Sequence, residues 1–252
     1  ELRGDGGDRL AMNGGGPERD RRLVADGWRR VGTATARGTV VVDGEPGHPA
    51  GAFDGCRDTE DVRRVAATLS GFFAAVVRLP DATALVCDTA RSVPLYFSES
   101  AISDVGTELA AADPDTYYPT AASEFALTRY VTGGETLHPD VRSVGAGEVV
   151  VLPDDGSKIE RRRHGRYRPT AETGDPSVEV AERRELLDRF GDVVGNVFDR
   201  VATVADGRPV VVPLSGGWDS RLVATELVAR GVEVVAFTFG AAGHADVEVS
   251  RD

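Results

Sequence analysis

Pro213-Leu214-Ser215-Gly216-Gly217-Trp218-Asp219-Ser220 follows the apolar run Pro209-Val210-Val211-Val212 and precedes Leu222-Val223-Ala224-Thr225-Glu226-Leu227-Val228. The order of these three stretches decides how the last third of the chain folds. The apolar run predicts a buried strand over Pro209 to Leu214, and the second stretch predicts a helix over Asp219 to Arg230, closed by Gly231 as its C′ residue. Val232 to Phe239 then reads as a second buried strand. Strand, helix and strand together make one βαβ unit opening a parallel sheet.

The loop inside that unit suits an anion. Free backbone N–H groups and the helix dipole favour negative charge where a strand gives way to a helix. Gly216 and Gly217 let the backbone approach phosphate oxygens with no Cβ in the way, and the hydroxyls of Ser215 and Ser220 add donors. Asp219 cannot bind an anion directly, so its natural role is to hold the Mg²⁺ that neutralises phosphates. No Gly-Lys-Ser/Thr follows and the loop has no lysine, which argues against the Walker geometry of kinases and GTPases.

A long helix is expected before the unit, over about Val180 to Val204, with Leu186, Leu187, Phe190, Val193, Val194, Val197 and Val201 at helical spacing. Residues 153–178 are polar and rich in Pro, Gly and charge, including Arg161-Arg162-Arg163, and read as a linker. Between Gly38 and Leu152 the signals are mostly strands: Thr39 to Val42, Phe72 to Val77, Ala84 to Cys87, Pro94 to Phe97 and Glu148 to Leu152. Two helices interrupt them, Thr59 to Leu69 with Asp58 as N-cap and Ser123 to Tyr130 with Ser123 as cap, the latter packing through Phe125, Leu127 and Tyr130. Residues 1–26 read as a flexible lead-in. The expected organisation is therefore 1–26 lead-in, 27–152 an α+β layered domain, 153–178 linker, and 179–252 the start of an α/β parallel-sheet domain.

Composition narrows the function. The formal charge is −12 and the acidic excess is spread along the chain, which argues against nucleic acid or an anionic membrane as a partner. Lys158 is the only lysine. Arginine with abundant Asp, Glu, Val and Ala is a balance similar to that of proteins from salt-loving archaea, and such a surface is screened by molar salt. Cys56 and Cys87 are isolated, with no metal-ligand or disulfide spacing, and a soluble, reduced, cytoplasmic setting is expected. The chain begins at Glu1, has Met12 as its only methionine and stops at Asp252 soon after a strand-like run, so a truncated reading frame is expected.

The loop resembles the SGGxDS PP-loop of ATP pyrophosphatases, which adenylate a substrate and release pyrophosphate. Segments ahead of it, in order, resemble the class II glutamine amidotransferase domain that precedes the synthetase domain in asparagine synthetases. Gly71-Phe72-Phe73-Ala74 is similar to the family's G-x-F-A strand, Cys87 to Tyr96 to its R-D-x-x-G-x-x-P-L-Y hairpin, and Ile102-Ser103-Asp104-Val105 to its S-E/D segment. Thr136 to Val141 with Val144 to Glu148 resembles the element that ends the domain. The resemblance implies an Ntn-hydrolase-like front domain and a PP-loop domain of the adenine nucleotide alpha hydrolase type. It implies ATP held by Leu214, Ser215, Gly216, Gly217, Asp219, Ser220, Phe239 and Gly240, with Asp219 and Ser215 catalytic and Asp219 the Mg²⁺ ligand. Val212, Leu214 and Phe239 would then lie beside the nucleotide, with Trp218 on the loop.

The same resemblance implies a degenerate glutamine site. The family's nucleophile is an N-terminal cysteine whose own α-amine acts as base, and this chain has none there. Asp43-Gly44-Glu45 stands where the family carries Asn-Gly-Glu, and an aspartate offers the oxyanion hole no donor. Asp58 matches a family aspartate that grips the glutamine α-amine, or caps its helix. Three readings stay open: an asparagine synthetase acting on aspartate with ammonia, a relative acting on another carboxylate, and a non-catalytic binding or regulatory module. The expected partners are ATP, a carboxylate, and ammonia or glutamine, with a homodimer possible.

Overall fold

Phe73 to Val77, Ala84 to Cys87 and Val149 to Leu152 are apolar at every position and buried at every position. Successive side chains of a strand point to opposite faces, so a sheet of such strands must be covered on both. The computed structural model, which describes residues 22–23, 27–42, 44–110, 116–168, 180–241 and 243–249, supplies the two covers. The chain divides into two compact units, Glu1–Val42 with Gly47–Arg168, and Asp43–Pro46 with Pro169–Asp252.

From Arg22 to Arg163 the described elements are β1 (Arg22–Leu23), β2 (Arg29–Val31), β3 (Ala34–Val42), β4 (Glu45–Gly47), α1 (Pro49–Phe53), α2 (Thr59–Thr68), β5 (Ser70–Arg78) and β6 (Ala82–Cys87), then β7 (Tyr96–Phe97), β8 (Ala101–Ser103), a 3-10 turn (Gly106–Glu108), α3 (Pro119–Thr128), β9 (Arg142–Ser143), β10 (Glu148–Pro153) and β11 (Glu160–Arg163), all in the first unit except the start of β4. The larger sheet runs β11-β10-β6-β5-β3-β2, with β4 bonded to β3; the smaller runs β1-β8-β7-β9. Ala75 and Val77 of β5, Ala84 and Val86 of β6, and Val149 and Val151 of β10 form one cluster with Phe53 of α1 and Val62 and Ala66 of α2. The alternate residues Ala74, Val76, Leu85, Cys87, Val150 and Leu152 form another with Leu95, Phe97 and Ile102, on or beside the smaller sheet. The unit is thus layered as helices, antiparallel sheet and small sheet.

Gly38 and Gly71 set how closely β3 and β5 approach. They have φ values of 113° and 153°. A Cβ on Gly38 would lie 2.0 Å from the Phe72 carbonyl oxygen, and one on Gly71 would lie 2.3 Å from that of Thr39. Only glycine fits either place.

Several expectations change here. The second helix begins at Pro119, not Ser123, because Pro119 occupies its first turn, where a missing N–H costs nothing. Ser123 lies inside it, its hydroxyl donating to Pro119 O at 3.0 Å, and Arg129 ends it at φ 69°. Phe125, Leu127 and Tyr130, expected to pack, are exposed. The expected linker holds β11, which pairs antiparallel with β10. Its arginines are satisfied there: Arg161 donates to Glu148 at 2.8 Å and Arg163 to Ala146 O at 2.9 Å. Within the expected lead-in, β1 pairs parallel with β8 and buries Leu23. Other residues of the lead-in, and Asp43, lie outside the described residues.

The second unit holds α4 (Val180–Ala205), β12 (Val210–Pro213), α5 (Trp218–Ala229), β13 (Val234–Phe237) and α6 (Ala245–Val249). β12 and β13 are parallel, Val210 beside Val234 through Pro213 beside Phe237, as a βαβ unit requires. Phe198, Val212 and Leu227 form its buried cluster, with Val194, Val210, Ala224, Val232 and Val234 packed around them. Arg230 ties the two helices, donating to Asp199 and Glu226 at 2.6 Å each and to Gly195 O at 3.0 Å. The strands were expected to be buried, yet Val211, Val235 and Phe237 are exposed, because the described helices cover one sheet face. Leu186, Leu187, Phe190, Val193, Val197 and Val201 of α4 are exposed as well. Among the described residues no helix is long and apolar enough to cross a membrane.

Candidate functional site

β13 fixes the entry to the loop at the end of β12. Leu214 N donates to Phe237 O at 2.8 Å, and Thr238 Oγ1 donates to Leu214 O at 2.7 Å. The chain then leaves the sheet and turns through Ser215, Gly216 and Gly217 into α5. Ser215 and Ser220 close the turn: Ser220 Oγ accepts from Ser215 N at 3.1 Å, and the two hydroxyl oxygens are 3.1 Å apart. Ser215 Oγ also accepts from Gly217 N at 3.3 Å. The two serines five residues apart thus share one hydrogen-bonded knot.

Gly217 is the N-cap of α5, and no side chain caps that end. Among the described residues, this end of a twelve-residue helix thus has no side-chain cap hydrogen bond, the condition under which an anion is favoured. Arg221 donates from Nε to Gly217 O at 3.1 Å and from Nη2 to Gly216 O. Its guanidinium lies 5.0 Å from the Trp218 ring centroid. That holds the outer carbonyls of the loop and brings one positive charge to its side.

Asp219 is exposed in the first turn of α5. Among the described residues no group of three His, Cys, Asp or Glu side chains is placed to hold a metal. One exposed carboxylate is a donor set that fits Mg²⁺ bound chiefly through phosphate oxygens and water, and not a metal caged by protein.

The residues expected beside a nucleotide are divided. Val212 is buried in the cluster between strand and helices, so its side chain does not line the loop. Phe239 and Trp218 are exposed, at 80% and 82%, and the Phe239 ring stacks on Phe237 at 6.3 Å. At Gly240 a Cβ would lie 2.9 Å from Val247 Cγ2 of α6. One residue that the sequence does not single out is Asp246, whose Oδ1 accepts from Gly216 N at 2.9 Å. His244 flanks it, its Nδ1 3.6 Å from Asp246 Oδ2. The only signal for it was a His-Ala-Asp run after the second strand.

In the first unit Asp58 caps α2, its Oδ1 accepting from Asp61 N at 2.8 Å. That oxygen serves the helix. Gly44 is exposed at φ 87° in the turn between β3 and β4. Cys87 is buried, and burial pushes its thiol up to about 12. Burial, then the nearby Asp61 carboxylate, also raises the thiol of half-buried Cys56. Neither is a thiolate near neutral pH. Asp88, just after β6, is buried and accepts from Phe73 N, Ala90 N and Ser92 N at 2.9, 2.8 and 3.0 Å.

No protein-family model matches this sequence, and no curated protein matches it significantly. Among solved structures the chain is similar to one described as the allosteric regulatory enzyme of purine biosynthesis, at 14% identity and a TM-score of 0.25. It is also similar to the glutamine phosphoribosylpyrophosphate amidotransferase of B. subtilis, complexed with ADP and GMP, at 12% identity and a TM-score of 0.29. The matches cover 77% and 83% of this chain, and 40% and 47% of those chains. The chain thus spans less than half the length of either.

Proposed function

We propose that the loop Ser215 to Ser220 holds the pyrophosphate portion of ATP, and that the chain belongs to an asparagine-synthetase-like amidoligase that adenylates a carboxylate. Aspartate is the leading substrate and ammonia the nitrogen donor. The observation that carries this reading is the uncapped start of α5 at the end of a parallel strand, with both glycines of the motif and its paired serine hydroxyls in one turn. Loop amides stabilise charge where it grows as pyrophosphate departs, and donors held ready in this way commonly contribute more to acyl and phosphoryl transfer than any other single effect. Bound Mg²⁺ would supply further neutralisation of the phosphates, with Asp219 its protein ligand. Ser215 and Ser220 would orient the phosphate oxygens. The carboxylate attacks the α-phosphorus, pyrophosphate leaves, and ammonia then displaces AMP from the acyl-adenylate.

Glutamine hydrolysis is not assigned to this chain. The two described thiols are protonated and internal, and the Asp58 oxygen that would hold an α-amine is engaged by its own helix. The test is pyrophosphate release from MgATP in molar KCl with aspartate, comparing ammonium with glutamine. Release with ammonium alone is expected, and Asp219→Ala should abolish it while leaving the circular dichroism spectrum unchanged. Wild-type rates in that variant would refute the metal assignment, and glutamate formed from glutamine would overturn the ammonia assignment.

A further inference from the structure

The contact between Gly216 and Asp246 sets an anion inside the chain against the anion expected from outside. Gly216 lies in the middle of the loop, and its N–H is one of the groups a polyphosphate oxygen would take. In this structure that N–H is bonded at 2.9 Å to the carboxylate of Asp246, which belongs to α6, beyond the second strand. The approach is close on the carbon side too, since a Cβ on Gly216 would be 3.0 Å from Asp246 Oδ1. The neighbouring amides are met differently. Ser215 N and Gly217 N are held by neutral serine hydroxyls of the loop itself, which a ligand can displace or share at little electrostatic cost.

We infer that Asp246 is a carboxylate plug: it occupies the Gly216 amide when the loop is empty and must withdraw for a polyphosphate to seat. This rests on reading Ser215 to Ser220 as a pyrophosphate loop. The seat admits one acceptor, so carboxylate and phosphate compete for the same proton, and the two negative charges repel while both are near. Asp246 sits on a short element: α6 has only five residues, Ala245–Val249, and His244 Nδ1 accepts from Asp246 N at 3.3 Å, so a small change in that turn releases the carboxylate. The plug makes a metal-free polyphosphate a poor ligand, because the displaced charge remains close by. A magnesium polyphosphate carries compensating charge and is penalised less. The loop would thus discriminate between the magnesium complex and the free anion, a selectivity its amides and hydroxyls cannot supply by themselves.

The experiment is calorimetric titration of inorganic pyrophosphate into the full chain, with and without Mg²⁺, for wild type, Asp246→Asn and Asp246→Ala. Asn keeps an acceptor for Gly216 without the charge, whereas Ala removes both and frees the amide. Metal-free pyrophosphate should bind roughly tenfold more tightly to Asp246→Ala than to wild type, the size of one charge-assisted hydrogen bond, with Asp246→Asn between them. The gain should shrink when Mg²⁺ is present. Wild type that binds pyrophosphate, with both variants binding equally or more weakly, would overturn the plug and leave the loop assignment standing. No binding to any of the three, with or without Mg²⁺, would overturn the loop assignment and the plug with it. The Asn variant, nearly isosteric, keeps the test decisive if Asp246→Ala unfolds α6.

Discussion

Asp88 shows how one residue organises a hairpin. Its buried carboxylate accepts from three backbone N–H groups and from Ser92 Oγ, so truncation would strand the buried Phe73 N–H and release the half-buried donors of Ala90 and Ser92 together. Asp88→Ala should lower stability by roughly 3 kcal/mol or more, read from urea midpoints. Cys87 gives a second prediction. Its thiol is pushed up to about 12 in the folded chain, from an ordinary value of 9.0, so the unfolded chain loses the proton first. Its contribution to stability is whole below about pH 9 and is lost as pH rises toward about 12, so wild type should weaken from about pH 8 to about pH 10 more than Cys87→Ala does. The same thiol should resist alkylation until the chain unfolds. At this scale the sequence is informative where partners are near neighbours: Ser215 with Ser220, and Asp58 with Asp61, each lie within a local motif of their own. Asp246 was not legible, because its partner Gly216 is 30 residues away and only the closing of the βαβ unit brings them together.

Elements were legible in proportion to how continuous their apolar signal is. β5, β6 and β10 stand out because both faces of the sheet are covered, so their central runs, Phe73 to Val77, Ala84 to Cys87 and Val149 to Leu152, are apolar throughout. β1, β7 and β9, two residues each, carry no period, and only their pairing partners make them strands. β11 reads as a linker because it is a charged sheet edge, where arginines and Glu160 face outward and discourage pairing with another chain. The start of α3 was misplaced because the serine inside it resembles a cap, whereas Pro119 is the actual punctuation. The β3–β5 pair yields a prediction at this scale. Gly38→Ala or Gly71→Ala should each cost about 2–4 kcal/mol, since the added carbon meets a backbone oxygen that can move only by parting the strands. Chemical denaturation measures that loss, and a change below about 0.5 kcal/mol would mean the strands are not held so closely.

Across the whole molecule, the two units differ in how much apolar surface they bury. The first carries two clusters on either side of one sheet, the second a single cluster around Phe198, Val212 and Leu227. Backbone amides of β5, β6 and β10 should therefore exchange with solvent most slowly and those of β12 and β13 much sooner, in a hydrogen-exchange experiment followed by mass spectrometry. The formal charge of −12 adds self-repulsion that salt screens, so the thermal midpoint should rise from low to molar KCl. Isotope exchange tests directly whether the loop of the second unit adenylates a carboxylate. Labelled pyrophosphate should be incorporated into ATP by the full chain in the presence of Mg²⁺ and aspartate, and Asp219→Ala should lose that exchange. Exchange absent with aspartate and every other carboxylate tried, in a chain shown to be folded, would contradict adenylation at this loop.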